Sequence, residues 1–290
     1  MIRSNRIGVS FIALAIIFCF SHCFIQYSGK TQNYIEKAAY FCSKKNYEKA
    51  FNVVISHLKR DSSYSISLKL NAIYLDRRLD SLTLNKKYDE SIKNCIVSRY
   101  VNYYPFPDPD KILPFINLYI ADQKIRSTCG WIKDNYPNKV DSIRKLRTEM
   151  DAITLKNALI ITEGYTADSF VALGKFPINC FYYVIIHSGI HYQEKHFSLF
   201  QEMARLNYIG PFQLATMEDK MLINQEKPQK YGTQLCNPVS TNYYYPHPFV
   251  SIDSLNYYRK SIGIGTRNII DEWKDLGINV DSLLLALPLK

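Results

Sequence analysis

Apolar residues recur at helical spacing along most of this chain, and short polar or proline-rich runs break the rhythm. Tyr34, Ala38 and Phe41 stand 4 and 3 positions apart, Asn46 interrupts, and Tyr47, Ala50, Val54 and Leu58 begin a second stripe. One-sided stripes of this period predict two paired amphipathic helices over 34–59. A further helical run covers Leu68–Asn85. Tyr103-Tyr104-Pro105-Phe106-Pro107-Asp108-Pro109-Asp110 then ends helix formation, because its prolines remove donors and push their predecessors to extended geometry. Past Ile120–Arg126, the 3-4-3 spacing of Ile143, Leu146, Met150 and Ile153 predicts one long helix from about Val140 to Ile161, ended by Gly164. Asp168–Leu173 reads as a short helix, and Asn179–Phe200 as one or two buried ones. Gln201–Asn207 continues them up to the stop at Gly210-Pro211. Met221–Asn224 and Lys230–Gln234 flank the polar loop Gln225-Glu226-Lys227-Pro228, which predicts a β-hairpin. Tyr257–Ile262 and Arg267–Leu276 complete the pattern as helices.

The expected architecture is therefore mainly α. It comprises an N-terminal segment 1–27, a helical-hairpin lobe 31–102, a proline-rich connector 103–112 and a helical domain 113–290 carrying a small β-hairpin. Lys45-Asn46-Tyr47-Glu48-Lys49-Ala50 returns loosely as Lys86-Lys87-Tyr88-Asp89-Glu90-Ser91, each after a helical run. These two turns resemble those of tetratricopeptide-type helical hairpins, in which a Tyr and a small residue three positions on pack the pair. Ser91 departs from that pattern.

Composition adds destination rather than activity. The formal charge of +10 is dispersed in short pairs such as Lys44-Lys45, Arg77-Arg78 and Arg144-Lys145, as expected of solvated helix faces. With no basic tract, aromatic-basic RNA signature or zinc-finger spacing, a nucleic-acid partner is not expected. Arg3 and Arg6 precede an apolar stretch from Ile7 to Phe20, shorter than the roughly 18–20 residues that span a bilayer. Segment 1–27 accordingly reads as a signal peptide or N-terminal membrane anchor, and membrane contact is expected through that segment alone. Lipidation at Cys23 is a further option, disfavoured by the bulk of His22. Cys42, Cys95, Cys129, Cys180 and Cys236 are widely scattered and read as buried small hydrophobes with at most one or two bridges.

Candidate chemistry lies in the second half. Asp122-Gln123 with Arg126, Gly164-Tyr165 ahead of Gly174, His187 after an apolar run, Asp219 ahead of Gln229-x-Tyr231-Gly232-Thr233-Gln234, and Arg259 before Gly263 follow one another in order. In these residues and their spacing, the stretch from Asp122 to about Trp273 resembles a bacterial family catalogued as domain of unknown function 6624. The resemblance implies a shared fold and a shared polar site, with no reaction attached. Lys220 stands where that family has Arg, and Tyr165 where Trp is commoner. Alternation along the expected strand puts Gln229, Tyr231 and Thr233 on one face.

Two functions fit. One is an exported cell-envelope protein that binds a polar ligand or a protein partner through Asp122, Gln123, Arg126, Gln229, Tyr231, Thr233, Gln234 and Arg259. The other is an exported hydrolase-type enzyme, with His187 as general base or acid and Asp219 as its orienting partner. His187, His191 and Glu194 share helical spacing suited to a divalent ion. Gly189 between them and the absence of an H-E-x-x-H order argue against it, so no metal site is assigned. No sequence feature names a cofactor, and there is no phosphate-binding Gly-rich loop, G-x-S-x-G elbow or Cys-His protease signature.

Overall fold

The computed structural model describes residues 29–60, 66–103, 108–236, 245–265, 267–278 and 280. The segment 1–27, with Cys23, and residues 104–107 of the connector lie outside them. The described residues form a mainly α protein with one small β element. In order they are α1 (Gly29–Ser43), α2 (Tyr47–Arg60), α3 (Ile66–Tyr74), a 3₁₀ turn at Arg77–Leu79, α4 (Asp80–Thr83), α5 (Lys86–Tyr103), α6 (Pro109–Asn135), α7 (Val140–Ile161), α8 (Ala167–Leu173), α9 (Lys175–Ile186), α10 (Ile190–Arg205) and α11 (Pro211–Asn224). Strands β1 (Leu235–Cys236) and β2 (Tyr245–Pro246) and helices α12 (Ile252–Ser261) and α13 (Ile269–Asp275) follow. No helix among the described residues is long and apolar enough to cross a membrane.

Two compact units result, one of residues Asn33–Met217 and one whose described residues run chiefly from Glu218 onward. Helices α5 and α6, on either side of the proline connector, belong to the same unit and pack on each other. The boundary between the two units falls at 217/218, inside α11.

In the first unit α1 and α2 form the expected hairpin, turning where the Asn46 side chain accepts from the Lys49 amide. Ala38, Ala50, Val54 and Leu58 are its buried face. Before the second tyrosine turn the chain breaks into α3, the 3₁₀ turn and α4, so the two repeat-like copies differ in build. Phe51 and Tyr88 nevertheless meet, their ring centroids 5.0 Å apart. Helix α9 is apolar around its whole circumference, which requires burial on every side. It packs against α6, α7, α8 and α10, and Phe176, Ile178, Cys180, Phe181, Tyr182, Val184, Ile185 and Ile186 are all buried. The joint between α8 and α9 is Gly174 at φ +88°, where an added Cβ would lie 2.8 Å from the Tyr100 hydroxyl. That hydroxyl donates to the Leu173 carbonyl.

Helices α6 and α7 pair along their length. The stripe expected to bury α7 does so only in part. Ile143 is buried with Ile125 and Cys129, and Met150 is partly covered. Leu146 and Ile153 are exposed, because the helix turns Thr154 and Ala158 inward instead. Among the described residues Cys42, Cys95, Cys129 and Cys180 are free thiols.

The second unit has its own core of Phe249, Leu255, Ile269, Trp273, Ile278 and Val280. Its β element differs from expectation. Met221–Asn224 is the last turn of α11, and residues 229–234 form a loop. The antiparallel pair is Leu235 with Pro246 and Cys236 with Tyr245. Gln229 keeps a single bridge to Phe249, its amide donating to the Pro248 carbonyl, while the Asp219 carboxylate takes the amides of Lys230, Tyr231 and Thr233 that a hairpin would have used.

Candidate functional site

The candidate residues gather in two clusters, one in each unit. The first is built on α6, which places Asp122 and Arg126 one turn apart on one face. Arg126 Nη2 donates to Asp122 Oδ1 at 2.8 Å and to Asp151 Oδ1 of α7 at 2.7 Å. Gln123 Nε2 donates to Asp122 Oδ2 at 2.7 Å. The residue capping the C-terminal end of α9 is His187, and its Nδ1 lies 3.0 Å from Asp122 Oδ1. The Asp122 side chain is 2% exposed and that of His187 13%.

Burial alone would raise the Asp122 carboxyl. The imidazole of His187 in its protonated form and the Arg126 guanidinium outweigh that, and hold it at about 2. Asp122 is therefore an acceptor at any ordinary pH, and Nδ1 of His187 carries the hydrogen between them. Around this centre Tyr119 is buried, donates to Asn71 Oδ1 at 3.0 Å and has its phenol pushed up by burial. The thiol of buried Cys180 is likewise pushed well up, first by burial and then by the Asp122 charge, so it is no thiolate nucleophile.

The second cluster is the Gln229–Gln234 signature, and it faces inward. Asp219, fully buried on α11, accepts from the amides of Lys230 at 2.6 Å and Tyr231 at 2.9 Å with Oδ1, and from the amide and hydroxyl of Thr233 at 2.9 and 2.8 Å with Oδ2. Burial raises this carboxyl, against the four hydrogen bonds that favour its charged form. Glu218, one residue earlier, accepts from Lys230 Nζ and from the Tyr231 hydroxyl, each at 3.0 Å. The Gln229 amide closes the loop on itself: Oε1 accepts from Gln234 N at 3.0 Å, and Nε2 donates to the carbonyls of Gln234 and His247. Gly232, at φ +71°, brings the backbone onto Ile269, Trp273 and Leu255. Buried Arg259 donates to the Tyr231 carbonyl at 3.2 Å and pairs with Glu272.

Asp122, Gln123, Arg126 and His187 thus come together as one centre, and Asp219, Gln229, Tyr231, Thr233, Gln234 and Arg259 as another. The partner that orients His187 is Asp122, whereas the four bonds to Asp219 all come from the signature loop. The expected alternation of Gln229, Tyr231 and Thr233 along a strand is replaced by a loop wound around one carboxylate. His187 and His191 fall on different helices, separated at Gly189, so the helical spacing that suggested a divalent ion does not apply. Among the described residues no group of three His, Cys, Asp or Glu side chains is placed to hold a metal. Asp151, Glu218 and Glu272 complete these clusters and were not singled out in the sequence. Each is an acidic residue on a helix, and only the packing of that helix shows its partner.

The chain was compared with protein-family models, with curated proteins and with solved structures, and no match was found in any of the three.

Proposed function

We propose that the chain is an exported cell-envelope protein that binds a polar ligand or partner, with the Asp122–Gln123–Arg126–His187 centre as its contact point. One observation carries this reading. An imidazole at the edge of exposure is held through Nδ1 by an almost fully buried carboxylate that Arg126 and Gln123 lock in turn. Such locking presets the direction of a hydrogen bond before any ligand arrives, which lowers the cost of binding. The Gln229–Gln234 ribbon, with its polar atoms turned onto Asp219, Gln229 and neighbouring carbonyls, serves this function as scaffold. Export is supported by the Arg3, Arg6 and Ile7–Phe20 pattern.

The same geometry favours a second reading, a hydrolase-type centre with His187 as general base and Asp122, in place of Asp219, as its orienting partner. A thermal-shift screen of the full chain against amino acids, sugars, short peptides and phosphate esters tests the first reading. At least one class should raise the melting temperature, and a folded His187→Ala protein should lose that rise. If His187→Ala melts far below the parent and no compound shifts either protein, the cluster is structural and the proposal fails. Hydrolysis of a screened ester or peptide that falls off as His187 becomes protonated, and that vanishes in His187→Ala, would select the second reading.

A further inference from the structure

Helix α7 carries an apolar seam that nothing in the described residues covers. Leu146, Ile153 and Ile160 recur every seven positions, at 41%, 53% and 62% exposure. Half-buried Met150 and exposed Asn157 fall between them, giving alternating steps of four and three from 146 to 160. That is the spacing of a helix seam that packs against another helix. Single exposed apolar residues are ordinary on a protein surface, but a row of three in register along four turns is not. Its flank carries the exposed charges Glu149 and Lys156, also seven positions apart.

We propose that this seam is the interface between two copies of the chain, paired antiparallel through α7 about a two-fold axis near Ile153. The charges select both the partner and its direction. Turning a second copy end over end about Ile153 brings Leu146 opposite Ile160 and sets Glu149 beside Lys156 of the other copy, twice by symmetry. A parallel pair would instead place the flank against Thr154, which is buried, and would leave both charges without a complement. Asn157 close to the axis adds a polar group that disfavours other registers.

Sedimentation of the full chain in non-ionic detergent, together with cysteine cross-linking, tests the pairing. The parent should sediment as a concentration-dependent dimer. Ile153→Glu, at an exposed position that leaves the fold intact by circular dichroism, should weaken dimerisation about tenfold or more, because two apolar contacts at the axis are lost. Glu149→Lys should weaken it as well, and the swap Glu149→Lys with Lys156→Glu should restore it. Under mild oxidation Ile153→Cys should form a cross-linked dimer, while Lys145→Cys on the polar face of the same helix should not. Association left unchanged by Ile153→Glu would belong to another surface and would overturn the proposal. A parent that is monomeric at every concentration, or Leu146→Cys cross-linking to itself as readily as Ile153→Cys, would do the same.

Discussion

Two buried carboxylates do opposite work in this protein, and the difference lies in what each one holds. Asp219 binds backbone, gathering three amides and one hydroxyl from a single loop. An amide side chain is nearly isosteric but has only one accepting oxygen. Asp219→Asn must therefore turn an NH₂ group toward buried donors, at a cost of about 2–4 kcal/mol. Urea unfolding followed by the fluorescence of Trp273, in a Trp131→Phe background, should show that loss. Asp122 holds side chains, and its effect is pH-dependent. Its folded-state pKa of about 2 lies below its ordinary 3.8, so the folded unit gains stability from the ionised form. That gain, about 2 kcal/mol, is complete above pH 3.8 and disappears as the pH falls toward 2. Between pH 5 and 2.5 the parent should lose stability more steeply than Asp122→Asn, read from Trp131 fluorescence in a Trp273→Phe background.

At the scale of elements, the 229–234 loop shows why a strong local pattern was legible while its conformation was not. Alternating residues around a polar four-residue turn fit a hairpin, and nothing local argues otherwise. The outcome was decided ten positions upstream, where α11 runs on to Asn224 and presents Asp219 to the loop's amides. Gly232 is the hinge of that arrangement. At φ +71° a side chain is strained, and its Cβ would meet Ile269 at 2.6 Å. Gly232→Ala should destabilise the second unit by about 2–4 kcal/mol, the left-handed backbone and the crowding each contributing, again measurable from Trp273. Helix α7 gives the converse case. Its length and limits follow from its sequence, but the face it buries does not, because Thr154 and Ala158 fit the neighbouring helices closely while Leu146 and Ile153 remain outside.

At the scale of the molecule, each unit encloses its own core, that of the first drawn wholly from residues 34–217 and that of the second from 249–280 with Leu235. A fragment 29–224, which keeps α11 whole, should retain strong helical circular dichroism and a cooperative thermal transition. A broad, non-cooperative melt would show that the first core needs residues beyond it. The sequence by itself determined the mainly α class, the limits of helices such as α2 and α7, and many of the polar residues that enter the two clusters. These rest on periodicity, on prolines and glycines, and on the few buried ionisable residues a core tolerates, all of them properties of neighbouring positions. Only the tertiary structure decided that His187 answers to Asp122, that the signature loop wraps Asp219 and that the unit boundary lies within α11. Each of those outcomes depends on which distant donors and acceptors can satisfy one another once water is excluded, and spacing along a chain carries no record of that.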